Sequence, residues 1–512
     1  MEPISIITGC FTGLIALISG VYASFTLYLF VRFYHFIYNR KISIHKLIIN
    51  TQIYARKRYI SMNSNTNNKL GTAPIGKLIL SMAMPAVIAQ MVNVLYNIVD
   101  RMYIGHIPEV GATALTGLGV CFPILMLISA FSAFVGSGGA PLAAIQLGKG
   151  NKEEAEKILG NGVTMLIAFS VVLTLIFMLF KEPLLYAFGA SDETIIYALE
   201  YLSIYLIGTV FVQAAVGLNT FITCQGYATT AMLSVLIGAI TNIVLDPIFI
   251  FGMNLGVKGA GLATIISQAF SAIWVVYFLC SKKSNLRIKL QYLKPDWKII
   301  GSIAALGVSP FIMQATESLI NIVFNSGLQQ YGGDLYVGSM TILQSVMQLF
   351  VVPTQGITMG TQPIISFNYG AKNHERVKKT FKYSLCITFT VTCISTVLAV
   401  VCPGAFASLF TSNAELIALI EKVMPIFMAG IWMFGVQMAC QSAFMGMGQA
   451  KISLFLALLR KVILLVPLAI ILPKVTGNVM GIYYAEPIAD ILAALTTGLL
   501  FVLNFKKILN KA

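Results

Sequence analysis

Charge is scarce in this chain. Of its 512 residues only 10% are Asp, Glu, Lys or Arg, against about 25% in a typical soluble protein. Apolar residues make up 57%, against about 45–50%. A soluble fold of this length could not bury such an excess, so lipid must face much of it. Histidine is rare too: the four present (His35, His45, His106, His374) are dispersed, which removes a histidine-built catalytic or metal centre. The eight cysteines (Cys10, Cys121, Cys224, Cys280, Cys386, Cys393, Cys402, Cys440) are scattered, mostly in apolar runs, without a Cys-x-x-Cys pair. They read as small buried hydrophobes, and neither a disulfide framework nor a zinc site is supported. The GSGG stretch at 136–139 has no strand before it and no lysine closing a Walker-type spacing, so it reads as close helix packing rather than a phosphate loop.

What the chain does have is a copy of itself. Gly138, Pro141, Gly148, Asn151, Glu153 and Lys157 recur 222 positions on as Gly360, Pro363, Gly370, Asn373, Glu375 and Lys379. The same shift carries Phe188, Glu193, Gly208, Gly226 and Ala228 onto Phe410, Glu415, Gly430, Gly448 and Ala450. A period this long is a duplicated half rather than a solenoid, and duplicated apolar halves are how many secondary transporters are built. The expected fold is an all-α integral membrane protein of two pseudo-symmetric six-helix lobes facing a cleft.

Twelve apolar spans fit the body, each able to cross a hydrocarbon layer about 30 Å thick. They fall near 77–102, 115–143, 160–181, 195–218, 229–251, 259–280, 298–326, 337–366, 380–402, 416–443, 452–472 and 480–503. Polar breaks such as GKGNKEEAEK and YGAKNHERVKK separate them. The expected domains are an N-lobe, 62–281, a cytoplasmic linker, 282–297, and a C-lobe, 298–512. With the start of the first span in the cytoplasm, 29 of the 34 Lys and Arg fall inside, leaving Arg101, Lys181, Lys258, Lys422 and Lys474 outside. Both ends of the body are therefore expected in the cytoplasm. The formal charge of +15 then reflects topology and lipid headgroups, not nucleic-acid binding. Residues 1–61 stand outside the duplication. Their apolar run, Ile4 to Phe30, reads either as an extra helix or as sequence upstream of a true start at Met62.

Ionisable residues inside a membrane are costly, so each points to function. Asp100 ends an otherwise apolar helix in LYNIVD. Asn242 and Asp246 lie four apart in TNIVLDP and share one face of the fifth span, with Pro247 freeing a backbone carbonyl beside them. Thr264, in the sixth span, supplies a hydroxyl. Two carboxylates with an amide and a hydroxyl suit transient sodium coordination or proton exchange between close acids. The structural alternative for Asp100 is a local ion pair with Arg101 at the membrane edge.

This constellation resembles the multidrug and toxic compound extrusion (MATE) family, in the wider group that includes polysaccharide flippases, over about residues 70 to 508. It is closest to the DinF-like branch. In that branch a first-helix aspartate, an Asn-x-x-x-Asp pair in the fifth helix and a sixth-helix threonine form the N-lobe cation site. The resemblance assigns those roles to Asp100, Asn242, Asp246 and Thr264, and that of the asparagine ending the fourth helix to Asn219 in GLNTFITCQG. Glu317 matches a seventh-helix glutamate of NorM-like members, whose tenth-helix aspartate falls here on an apolar stretch near Phe434. Glu317 is thus a candidate cavity residue, or alternatively a glutamate hydrogen-bonded to Gln314 or to a neighbouring helix. Gln90, Gln314, Glu317, Glu486 and Asp490 form the candidate substrate cavity.

The expectation that follows is a monomeric plasma-membrane antiporter exporting cationic, amphipathic compounds by taking up H+ or Na+, with no cofactor. Membrane lipids and small-molecule drugs are its partners. The alternatives are a lipid-linked oligosaccharide flippase, which needs a large cationic cavity, and a membrane enzyme acting on lipids, which needs clustered catalytic residues.

Overall fold

The computed structural model describes residues 66–511 apart from position 412, so the extension at 1–61 lies outside the described residues. Among them there is no strand. A short helix, Thr66–Thr72, leads into the first span, Ile75–Gly105. The second, third, fifth and sixth spans are Gly111–Gly148, Lys152–Ala187, Ala228–Gly252 and Gly256–Cys280. The fourth is a broken span, Ile195–Ile207 plus Thr209–Thr223, bent by 60° at Gly208, where the backbone closes on the Ile265 side chain. The seventh to twelfth spans are Trp297–Tyr331, Leu335–Gly370, His374–Val401, Ala414–Gly446, Ala450–Thr476 and Met480–Asn510. Among the described residues eleven helices are long and apolar enough to cross a membrane by themselves, and the bent pair makes twelve. The chain is a multi-pass, all-helical membrane protein.

The helices run several residues past the apolar stretches. Most of GKGNKEEAEK is the first turns of the third span, and HERVKK opens the ninth. Capping explains both. Asn151 accepts a hydrogen bond from the Glu154 backbone N–H, and Asn373 accepts one from Arg376, each satisfying an otherwise orphaned donor. Glu153 and Glu375 then place negative charge in the first turn, where the helix dipole favours it. The caps are themselves part of the 222-residue repeat. Between the sixth and seventh spans, the connecting segment is docked on the third span: Thr164 donates to the Leu293 carbonyl at 2.7 Å, and Asn161 accepts from the Asp296 N–H at 2.7 Å. Lys289 pairs with Glu156 at 2.6 Å, and that carboxylate holds its ammonium above the usual lysine range.

Each half contributes six spans, an even number, so both enter the membrane from the same side. The halves meet where the second span packs on the seventh and the first on the eighth. This seam is closed at one end only. There a single apolar cluster draws on both halves, with Leu70, Met82, Ala143 and Leu147 joined to Ile303, Ile364 and Phe367. Arg376 donates to the Leu70 and Ala73 carbonyls, and Asn368 donates to Leu70, tying the end of the short first helix to the other half. At the opposite end each half keeps a core of its own. One holds Ile104, Leu118, Leu185 and Ile250, the other Phe324, Leu343, Phe427 and Tyr483. The molecule is a cleft closed where the first and seventh spans begin.

Glycine sets how near the halves come. A Cβ on Gly148 would lie 2.0 Å from the Phe367 carbonyl oxygen, and one on Gly370 would lie 2.0 Å from that of Ile145. Gly148→Val should therefore force the closed end apart. Overpacking of this kind costs about 1–3 kcal/mol or more, to be read as a lower thermal-unfolding midpoint in detergent. An unchanged midpoint would mean that the halves do not approach this closely.

Candidate functional site

Two buried polar clusters occupy equivalent helices of the two halves. The first joins spans one, four, five and six. Asp100 and Asp246 are both buried, and their carboxyl groups stand beside one another. Asn242 donates from Nδ2 to Asp246 Oδ1 at 3.1 Å, as expected for residues one turn apart. Three oxygens are left buried with no donor: Asp100 Oδ1, Asn242 Oδ1 and Asp246 Oδ2. The helix changes character here, since a π-helical turn, Ile248–Gly252, follows Pro247 directly. Such turns widen a helix and are frequent at functional sites. Arg101 lies over the Phe122 ring, 5.3 Å from its centroid.

Thr264 stands beside this cluster through Tyr201. Tyr201 is buried, with its hydroxyl near the Thr264 side chain and Asp100. Tyr201 stacks against Tyr205, with ring centroids 6.1 Å apart. Sequence reasoning passed over both tyrosines, because aromatic residues in an apolar span carry no signal of their own. Asn219 sits elsewhere. Its amide donates to the Ala231 carbonyl in the first turn of the fifth span, about 16 Å along that helix from Asn242 at 1.5 Å per residue. The structure does not bring it into the cluster.

The second cluster joins spans seven, ten, eleven and twelve, and it corrects the reading of the C-lobe. Arg460 donates from Nε to Asp490 at 2.6 Å and from Nη2 to Glu486 at 2.9 Å. It also lies 4.7 Å over the Phe434 ring. Lys461 donates to the Glu317 carboxylate and, at 2.8 Å, to the Met313 carbonyl. Glu317 thus bonds a neighbouring helix, through Lys461, and not Gln314, whose Oε1 is buried without a partner. Glu486 and Asp490 are buried counter-charges of Arg460, not free cavity walls. Arg460 and Lys461 had been counted among cytoplasmic charges, yet both are buried well inside the eleventh span. Even without them, 27 (29 − 2) basic residues remain on the expected inner side against five outside, so the bias persists. The signal was available: LALLRKVILLV gives two cations flanked by apolar residues on both sides. Gln90, in the first span, donates to the Met359 sulfur of the eighth across the seam.

The MatE family profile matches the chain twice, over residues 85–248 and 310–471. The chain belongs to the MATE family. Each match covers most of one half, so the family unit is itself the repeat. Among curated relatives, the multidrug export protein MepA of Staphylococcus haemolyticus is 24% identical over 82% of this chain and 92% of its own length. MepA of Staphylococcus aureus is 23% identical over 84% and 94%. A multidrug resistance MATE family transporter of the MOP superfamily, solved in an outward-facing conformation, superposes with a TM-score of 0.80 at 25% identity, over 87% of this chain and 98% of that one. A MATE solved in a bent conformation gives 0.81 at 25%, over 87% and 99%. MATE proteins are transporters, and this chain is a transporter rather than an enzyme.

Within this MATE chain, Arg460 compensates two carboxylates. Arg460→Met should strand both, and breaking one side of a buried ion pair costs about 3–5 kcal/mol. Neutralising the partners as well, in R460M/E486Q/D490N, should recover much of that loss. Thermal unfolding in detergent measures both. A single variant as stable as wild type would show that the carboxylates do not need the guanidinium.

Proposed function

We propose that this chain is a secondary active multidrug exporter of the plasma membrane, moving cationic, amphipathic compounds outward in exchange for H+ or Na+. The carrying observation is the pair Asp100 and Asp246. They stand on different helices of one lobe, buried together, with two of their oxygens and that of Asn242 lacking donors and no basic side chain hydrogen-bonded to either carboxylate. Two close carboxylates in low dielectric do not both stay ionised without a cation, so the site takes up a proton or a sodium ion. Oxygen-only donors suit a hard cation. The occupied and empty forms favour different arrangements of the first, fifth and sixth spans, and that differential affinity is what coupling requires. Lobe 75–281 rocks against lobe 298–508, with the cleft open to one side at a time. Both termini of the body lie in the cytoplasm, which makes the closed end of the seam the cytoplasmic one. The names of the curated relatives, multidrug export proteins, support the cargo class.

A lipid-linked sugar flippase is the other reading within the superfamily. Arg460 and Lys461 are its only support. Both are already committed to three carboxylates, so the second cluster offers no net positive charge to a pyrophosphate.

The test uses inside-out vesicles with an imposed proton or sodium gradient. Asp100→Asn and Asp246→Asn should each reduce gradient-driven accumulation of a cationic dye to background, while the purified variants stay folded and still bind it. Near-wild-type pumping by both variants under either gradient would sink the proposal.

A further inference from the structure

The two polar clusters lie on corresponding spans of the two halves, though by the 222-residue shift Lys461 falls on Ala239 and Glu317 on Leu95, away from Asp246 and Asp100. The first draws on spans one, five and six, the second on spans seven, eleven and twelve, and Glu486 stands 222 positions after Thr264. Their charge differs. In the first, two carboxylates meet with no basic side chain hydrogen-bonded to them. In the second, three carboxylates meet Arg460 and Lys461. We propose that Lys461 is a tethered cation: its ammonium plays, among the carboxylates of the C-lobe, the part an exchangeable ion plays in the N-lobe. The proposal rests on the reading of the N-lobe cluster as an ion-exchange site.

Three observations carry it. First, Arg460 and Lys461 are consecutive, and consecutive residues on a regular helix point about 100° apart. Both are nonetheless buried and bonded to different spans, because they sit in a π-helical turn, Leu459–Leu465. The widened turn lets Arg460 reach the twelfth span while Lys461 reaches the seventh. Second, Asp490 is 1% exposed, yet its Oδ2 has no partner. The cluster is already short of positive charge, and losing Lys461 would leave three carboxylates to one guanidinium. Third, the Lys461 side chain is only 4% exposed while that of Glu317 is 54% exposed. Glu317 is therefore the face through which a free ion would enter if the ammonium were absent. The ligand for such an opened site is a small monovalent cation, with sodium as the probe.

The experiment measures sodium binding to purified protein at mildly alkaline pH, with N-methylglucamine balancing the salt. Asp246→Asn serves as background, so that the N-lobe cluster does not contribute. D246N/K461M should gain saturable sodium binding over D246N, and adding Glu317→Gln should remove the gain. K461Q, which keeps a donor for the Met313 carbonyl, is the second variant and should behave alike. No gain in either folded variant overturns the proposal. If the Lys461 variants unfold without salt, rescue by sodium but not by N-methylglucamine supports it. Rescue by neither, while D246N/E317Q/K461M folds, overturns it, because the lysine would then be only a structural partner. Sodium bound by D246N itself counts against the N-lobe reading and leaves the Lys461 comparison, a difference between backgrounds, intact.

Discussion

Hydrocarbon offers no hydrogen bonds, and the rest of this structure follows from that. A backbone polar group or an ionised side chain within the spans must find its partner in the protein. The backbone answers with helices throughout. The charges answer in two ways. In one half Arg460 and Lys461 neutralise carboxylates at short range, and in the other Asp100 and Asp246 lean on one another. A buried carboxylate with a cation of its own protein beside it has less need of an ion from outside. A buried pair of acids is unsettled until something positive arrives. The lobes share an architecture but differ in electrical behaviour.

The breaks in helical regularity sit beside this chemistry. Pro247 and the π-helical turn after it follow Asp246, and the second π-helical turn carries both buried cations. Apart from the bend at Gly208 in the fourth span, most other spans are long single helices. The second widened turn supplies what a regular helix cannot: consecutive side chains, Arg460 and Lys461, serving two neighbouring spans.

Much of this was legible in the sequence. Spans were legible because lipid imposes one uniform demand on every lipid-facing segment, and the repeat because both halves keep the same glycines and caps. Asp100, Asn242 and Asp246 stood out as polar residues isolated in apolar runs, with a four-residue spacing that fixes a shared face. Helix limits were not legible from hydropathy, since Asn151 and Asn373 extend the helices into polar sequence. Pairings across spans were illegible for a different reason. Nothing local tells Glu317 that its partner is 144 residues on, or that Asn219 is held away by the Ala231 carbonyl. Tyr201 was invisible because its hydroxyl matters only once Thr264 and Asp100 are beside it.

Gly148 fits against Phe367, and Gly370 against Ile145. In the register of the repeat these are one contact made twice, since Phe367 is the image of Ile145 and Gly370 of Gly148. Contacts of that form are what a two-fold axis imposes between identical partners. The seam therefore has the form of a homodimer interface built within one chain. In a true homodimer any substitution appears on both sides of the axis at once. Here each half can change alone, so that a threonine, Thr264, in one half is matched by a glutamate, Glu486, at its twin position in the other.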